Sequence, residues 1–387
     1  MCLGSVLFCA SFQMVIPVMP DYLEKFGGAA YKGYHIALFA GMALISRPFS
    51  GILTDRIGRI PVMVFGALVC IFAGIGYLFA FAVGQLLIIR FLHGMSTGFT
   101  PTGNIAYTAD LSPIDKRGLA MGIQGMSNNL GMAIGPFIGG FLYIKYGFNA
   151  VFASSILLAI MAFATFKGLP ETAPQTQKFK LKLLKINLHD FYEPNVYGPF
   201  IICFVLSFGF GSFLTIAPDH SKLLNIQNLG LAFTLLTTSS ILSRFLIAKL
   251  SDIYGRVWIL RIAVTLMFLI MLMVSNVPTA NLFFILIAFW GLCQGASSPT
   301  VFAWTTDIAK SKDQGKAYAS VFIGLELGII LGGYFTGFIY QNSFANIPAV
   351  YYCNAIVFGL GALFLWIIKI DKLEYLKNSI AIEPSEI

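Results

Sequence analysis

SRPFSGILTDRIGR, Ser46 to Arg59, comes back as SRFLIAKLSDIYGR, Ser243 to Arg256, at an offset of 197 residues. Arg47 pairs with Arg244, Asp55 with Asp252, Gly58 with Gly255 and Arg59 with Arg256. The register holds beyond these stretches. Gly94 pairs with Gly291, Gly98 with Gly295, Asp110 with Asp307, and Gly118 with Gly315. Gly131, Gly135 and Gly140 pair with Gly328, Gly332 and Gly337. A correspondence of that length marks a duplicated unit of about half the chain.

Each unit consists of apolar runs. The chain has 387 residues, 57% hydrophobic and 11% charged, where a soluble domain carries about 25% charged residues. A membrane-crossing helix needs about 20 apolar residues. Runs over 3–22, 34–54, 61–82, 84–109, 119–143, 148–168, 197–218, 228–250, 257–276, 280–306, 317–340 and 350–370 meet that need. The first run has no basic leader and reads as a span. The longest polar interval, Pro170 to Pro194, divides the chain into a six-helix bundle (1–169), a linker (170–195) and a second bundle with a short tail (196–387). The expected fold is an all-α integral membrane protein of twelve transmembrane helices in two pseudo-symmetric bundles. Parallel repeats of this kind place a site near the membrane midplane between the bundles.

Seventeen of the 25 Lys and Arg residues fall on alternate connections and in the C-terminal tail. Lys25, Lys32, Lys145 and Lys222 fall on the other side, and Arg47, Arg90, Arg244 and Arg261 lie inside spans. By the positive-inside rule, both termini and the linker are cytoplasmic in the inner (plasma) membrane. The net charge of +8 thus reports topology and not nucleic-acid binding. The six cysteines all lie in apolar runs, with no CxxC pair or metal-ligand spacing. No nucleotide-binding loop, nucleophile–base set or metal cluster appears in the sequence. An enzyme, a cofactor and a metal are not expected. Energy must come from an ion gradient or the substrate gradient.

Four motifs resemble the major facilitator superfamily, and the resemblance covers essentially the whole chain. GILTDRIGR, Gly51 to Arg59, resembles the loop signature between the second and third helices, with Ile60 where the family usually adds a basic residue. RFLHGMSTG, Arg90 to Gly98, resembles the fourth-helix motif. GMAIGPFIGG, Gly131 to Gly140, resembles the fifth-helix motif associated with exporters, and LPET, Leu169 to Thr172, an element of drug:proton antiporters. The resemblance implies a cytoplasmic gate of Asp55, Arg56, Gly58, Arg59, Asp110, Arg117, Asp252 and Arg256. Asp55 would cap the eleventh helix near Gly315 and Lys316. Asp252 would do the same near Arg117 and Gly118. It also ties Arg90 to coupling.

The residues add their own argument. Arg90, His93, Thr97, Pro101, Asn104 and Thr108 share one side of the fourth helix. Such a stripe must face protein or a wet cavity, because charge in hydrocarbon is costly. The tenth helix offers Trp290, Gln294 and Trp304, the first Gln13, and the seventh Phe208. All are expected cavity residues. Gly131, Gly135 and Gly139 form a small-residue stripe for close packing, continued by Gly140, and Pro136 favours a bend. Glu326 lies about nine residues into its span, roughly 14 Å deep and near the midplane. Its repeat partner is Asn129. A carboxyl there can exchange a proton or hold a cation, and competition between the two is antiport. Glu326, Arg90 and His93 are therefore the expected coupling and substrate residues. Arg47, Arg244 and Arg261 read as structural anchors, and Asp21 and Asp219 as outer-rim residues.

These observations point to a monomeric exporter of a small organic molecule, exchanging it for protons across the lipid bilayer by alternating access. A proton-coupled importer of a sugar, organic acid or peptide uses the same fold. A non-transporting membrane sensor is the remote alternative.

Overall fold

The computed structural model describes residues 1–113, 116–173, 176–180, 193–309 and 314–368; the side chains of Gly118, residues 245–249 and Asp252 are outside that description. So are much of the linker, including Lys182 and Lys185, and the tail that carries Lys369, Lys372 and Lys377. The described residues form helices and turns, without strands. The helices are α1 (Cys2–Gln13), α2 (Met19–Lys25), α3 (Tyr34–Arg56), α4 (Arg59–Leu78), α5 (Val83–Leu111), α6 (Arg117–Lys167), α7 (Tyr197–Leu223), α8 (Leu231–Tyr254), α9 (Arg256–Val274), α10 (Ala280–Ile308), α11 (Gln314–Tyr340) and α12 (Ile347–Ile367).

Two departures from the expected spans have local causes. The first span is α1 and α2 joined by a 3₁₀ turn, Ile16–Val18. Pro17 supplies no N–H and its ring crowds the carbonyl of Gln13, so the α-ladder stops there. The fifth and sixth spans run together as α6, whose 51 residues would reach about 77 Å if straight. That is more than twice the ~30 Å hydrocarbon core. Gly147 breaks it with φ 76° and ψ −172°, a conformation open to glycine alone.

Among the described residues, nine stretches are long and apolar enough to cross a membrane. One of them, Leu119–Lys167, contains the break at Gly147 and supplies two crossings. The remaining two are α5 and α8, at 29 and 24 residues long enough to span. They bring the number to the expected twelve.

Glycines decide how closely the helices approach. A methyl on Gly131 would stand 2.5 Å from the Val6 carbonyl oxygen, and one on Gly135 2.8 Å from that of Ala10. Gly139 meets Met14 in the same way, so α6 rides directly on the backbone of the first span. The repeat does the same: Gly328 faces the Phe204 carbonyl of α7 and Gly332 that of Phe208.

The two halves meet through α3 with α11 and α6 with α8. Glycine contacts again mark the seams. A methyl on Gly33 would lie 2.8 Å from Gly337 Cα, and one on Gly140 2.9 Å from Gly230 N. These are the same positions under the 197-residue offset, exchanged between halves. Both seams lie at the end of the bundle away from the loops holding Arg56, Arg59, Lys116 and Arg117. We refer to those loops as the basic end. At the basic end Asp55 is 76% exposed, and Leu119, Ile123, Met126 and Leu130 of α6 are also exposed. The halves gather at the opposite end and part toward the basic end.

Candidate functional site

At mid-depth Arg47 of α3 donates to Glu326 of α11, from Nε at 2.9 Å and from Nη2 at 2.5 Å, both to Oε1. Glu326 is 3% exposed. The Arg47 guanidinium also covers the Phe322 ring at 4.9 Å. Arg47 therefore does more than the expected anchoring: it neutralises the midplane carboxylate from the other half. The repeat partners of this pair are Arg244 and Asn129. Asn129 spends its amide on the Gly125 carbonyl at 2.9 Å, and Arg244 Nε has no acceptor among the described residues. One seam thus carries an ion pair; at the other, no ion pair of Arg244 is formed among the described residues, and the position of the carboxylate is taken by the Asn129 amide. Arg261 acts as an anchor, donating to the Leu365 and Ile368 carbonyls at 2.7 and 3.0 Å.

The polar stripe of α5 takes the protein-facing option more fully than the cavity option. Arg90 is 0% exposed and lies 4.6 Å over the Phe39 ring. His93 is buried, with Nδ1 3.0 Å from the Tyr77 hydroxyl. Asn104 is buried and donates to Ser5 Oγ at 3.1 Å, which Gln124 also reaches at 2.8 Å. Thr97 is half-buried. In the second half Trp290 packs edge-on against Phe213 at 5.0 Å, Trp304 lies under Gly198, and Phe208 is buried beside Phe204 and Phe335. Gln294 is half-buried. Gln13 lines a small cavity between the halves with Pro136, Phe210 and Phe233. The expected cavity residues thus divide between bundle interiors and this narrow seam.

The two signature loops fold alike. Gly58 and Gly255 have φ of +119° and +94°, which permits near-immediate reversal between helices. Arg59 Nε donates to Asp110 at 2.8 Å, and Arg256 Nε to Asp307 at 3.1 Å. In the first half the LPET element adds a cap. Glu171 accepts the backbone N–H groups of Arg59 at 2.9 Å and Ile60 at 3.0 Å, at the start of α4. Thr172 donates to Asp110 at 2.8 Å. Burial raises the Glu171 carboxyl, but four backbone donors outweigh it and hold the group below the ordinary carboxylate value.

Among the described residues, Asp55 makes no contact with the start of α11. Asp55 faces solvent and reaches Arg59 at 3.4 Å within its own turn. Arg56 and Arg117 are exposed at the basic end. Asp252, the counterpart of Asp55, has its side chain outside the described residues.

A second cross-half cluster lies at the opposite end. Lys32, 2% exposed, binds Asp219 of α7 at 2.9 Å and Glu24 of α2 at 3.0 Å. Lys222 of α7 pairs with Asp21 of α2 and lies 3.3 Å from Asp219. Tyr143 donates to Asp21 at 3.1 Å. Lys32 and Asp219 at its centre are buried, whereas Glu24 is exposed and Lys222 partly so. Sequence reasoning did not assign Lys32, Lys222, Glu24 or Glu171 to a site. Their signal was faint: isolated charges at span ends, each with a partner on another element.

The family model of the Major Facilitator Superfamily matches residues 1–227 and 199–383. The multi-drug resistance efflux pump PmrA of Streptococcus pneumoniae serotype 4 is 27% identical over 384 residues, covering 93% of each chain. Multidrug resistance protein 1 of Bacillus subtilis is 35% identical over 209 residues, 52% of each chain. Among solved structures, a D-xylose-proton symporter superposes with TM-score 0.78 at 18% identity, covering 96% of this chain and 97% of its own. The human organic anion transporter MFSD10 (TETRAN) gives 0.71 at 16% identity, covering 94% and 97%. With its duplicated six-helix halves, its paired signature loops and a family match along almost its whole length, the chain belongs to the major facilitator superfamily of membrane transporters.

Proposed function

We propose that the protein exports a small organic molecule in exchange for protons, by rocking its two bundles about a midplane site. The observation that carries this reading is the Arg47–Glu326 pair, a buried carboxylate on one half neutralised by a cation on the other. Proton arrival at Glu326 removes its charge and frees Arg47. Proton loss restores an anion that Arg47 or a cationic substrate can hold. Proton and substrate thereby compete for one group, which is the requirement for antiport. The names of the bacterial relatives, a multi-drug resistance efflux pump and a multidrug resistance protein, support drug-like cargo, and the first of them supports the outward direction.

The excess of basic residues assigns the basic end to the cytoplasm and both termini to that side of the plasma membrane. On that reading the present conformation faces inward. The Lys32–Asp219 and Lys222–Asp21 pairs close the outer side, Asp55 is a cytoplasmic gate group released in this state, and Asp252 is its counterpart in the second half. The 1–169 and 196–387 units are the bodies that rock, and 170–195 tethers them. A monomer suffices, since both seams lie within one chain.

The test is proton flux in proteoliposomes holding an imposed pH gradient, with a panel of cationic, neutral and anionic compounds. Compound-dependent collapse of the gradient in the wild type, lost in folded Glu326→Gln, is the expected result. Gradient collapse that persists in Glu326→Gln would remove Glu326 from coupling. Uptake of labelled compound in the same direction as the proton would replace export by import.

A further inference from the structure

A groove of about 450 Å³ lies beside the seam between α3 and α11, at the end away from the basic loops. The first half supplies Ala30 and Tyr34, and the second supplies Tyr334, Phe338, Gln341 and Asn342. Its depth follows from the rise of α11. Phe338 is twelve residues beyond Glu326, or about 18 Å from it, where half the hydrocarbon core is about 15 Å. With Glu326 at mid-depth, the groove straddles the boundary between acyl chains and headgroups.

The walls suit both levels. Tyr34 and Tyr334 meet edge-on at 5.6 Å, and Phe338 is exposed. Leu38, Gly41 and Ile45 continue the face of Tyr34 down α3, four, seven and eleven residues on. Ile45 is exposed, and a methyl on Gly41 would meet no described atom within 4 Å. This face gives an acyl chain a path toward the midplane. At the other level Gln341 and Asn342 follow α11, both exposed. Asn342 adjoins the Glu24 carboxylate, whose side chain is 48% exposed. The network behind Glu24 sets three carboxylates, Asp21, Glu24 and Asp219, against two lysines, Lys32 and Lys222. Lys25 is turned to the first half, over the Tyr22, Phe26 and Phe148 rings. An ammonium at the groove mouth therefore meets an accessible carboxylate and tyrosine rings, both of which attract a cation.

We propose that this groove holds one phospholipid with an ammonium headgroup, a phosphatidylethanolamine by chemical class, which on the topology given above belongs to the outer leaflet. Its chain lies against Tyr34, Tyr334 and Phe338, and its ammonium sits beside Glu24. An anionic lipid without an ammonium lacks the second contact. Both halves build the groove. A methyl on Gly337 would lie 2.7 Å from Gly33 Cα, so α3 and α11 touch beside it, and parting them takes the groove apart. The lipid therefore binds the form in which this end is closed and shifts the population toward it. The groove is separate from the Arg47–Glu326 pair, and the inference stands whatever the protein transports and whichever ion drives it.

The experiment is thermal unfolding of the detergent-purified full chain, titrated with phosphatidylethanolamine or with phosphatidylglycerol of the same acyl chains. Ligand linkage predicts a saturable rise in melting temperature with phosphatidylethanolamine, exceeding that with phosphatidylglycerol by about 2 °C or more. Glu24→Gln is expected to abolish the difference between the two lipids. Ala30→Trp, which fills the groove from an exposed position, is expected to lose the phosphatidylethanolamine response while remaining folded. In phosphatidylethanolamine vesicles, adding Ala30→Trp should speed maleimide labelling of Ile36→Cys in the seam by roughly threefold. Equal responses to the two lipids in the wild type overturn the proposal. A lipid preference unchanged in both variants overturns it too, because the lipid then acts elsewhere on the surface. The same rise with free ethanolamine or tetraethylammonium would replace the lipid by a soluble cation, and an unchanged labelling rate would overturn the link to closure.

Discussion

Arg47 and Glu326, 279 residues apart in sequence, share two hydrogen bonds at the depth where the two halves of the molecule meet. Arg47 is a quarter exposed, whereas Glu326 is enclosed. The pair is therefore unequal. Arg47→Gln leaves an uncompensated buried carboxylate, whereas Glu326→Gln leaves a cation that can turn to water. Breaking a buried pair costs roughly 3–5 kcal/mol, and the partial exposure of Arg47 places this one at the lower end. Arg47→Gln is expected to lower the melting temperature more than Glu326→Gln does. The double variant should regain most of the loss. Equal effects in the two single variants, with no recovery in the double, would falsify the idea that charge pairing dominates here.

The opposite end offers a kinetic test of closure. Ile36 is buried and faces Gly333 across the α3–α11 seam, where a methyl on Gly333 would meet its Cβ at 3.2 Å. A cysteine at Ile36 should react slowly with a membrane-impermeant maleimide applied outside. Adding Asp219→Asn removes the carboxylate that Lys32 and Lys222 share. Labelling is then expected to speed up by roughly tenfold, as the open population grows. An unchanged rate would mean that the salt-bridge network does not hold this end shut.

Glu171 should make stability depend on pH in a defined sense. Its folded-state pKa lies below the ordinary carboxylate value. The cap is thus fully present above the unfolded pKa and is lost as pH falls through the lower folded value. Glu171→Ala is expected to lower stability at neutral pH by about 1 kcal/mol, the usual worth of a helix N-cap. The difference from wild type should shrink on acidification. A gap that widens toward acid in melting curves would rule out the capping role.

Gly58 and Gly255 are repeat partners in different surroundings. A methyl on Gly58 would lie 2.5 Å from Glu171 Oε2, whereas one on Gly255 meets nothing among the described residues within 4 Å. Both alanine variants carry the backbone strain of positive φ, about 1–3 kcal/mol. Gly58→Ala also displaces the Glu171 cap and is expected to be worse by about 1 kcal/mol. Denaturation of the two variants side by side measures the difference. Loss of the difference in a Glu171→Ala background would confirm its source.

The α6 glycines are expected to be intolerant of a methyl only where they touch a neighbouring backbone, as Gly135 does on α1. Gly135→Ala forces a methyl to 2.8 Å from a backbone carbonyl, an overpacking worth about 1–3 kcal/mol. Gly122 lies on the same helix with open space around it, and Gly122→Ala should be neutral or stabilising by up to about 1 kcal/mol. Thermal melting of both variants decides the point, and equal destabilisation would argue against the packing account.

The spans, the duplication and the twin loops were legible in the sequence because each is a local property. Hydropathy over 20 residues sets a helix in a bilayer, and a glycine before an arginine sets a tight reversal. The grouping of Arg59 with Asp110 was legible too, and the repeat carries the same two positions as Arg256 and Asp307. Glu326 stood out because a carboxylate in an apolar span is costly wherever its partner lies. Its partner did not stand out. Arg47 read as an anchor because nothing local distinguishes an arginine that snorkels from one that crosses a seam. The α5 stripe showed that its polar groups avoid lipid. Whether they face a cavity or the interior depends on the rotation of α5 against α3 and α4, which glycine contacts and bundle packing set. Asp55 was assigned to a closed gate, yet its contacts depend on which end of the molecule is gathered. By itself, the sequence determined how many helices cross, in what order, and that they come as two copies. Only the tertiary structure decided which charges pair across 187 or 279 residues. Those pairings are made by docking the two halves, and the docking surface is a sum of contacts from both copies that neither copy specifies alone.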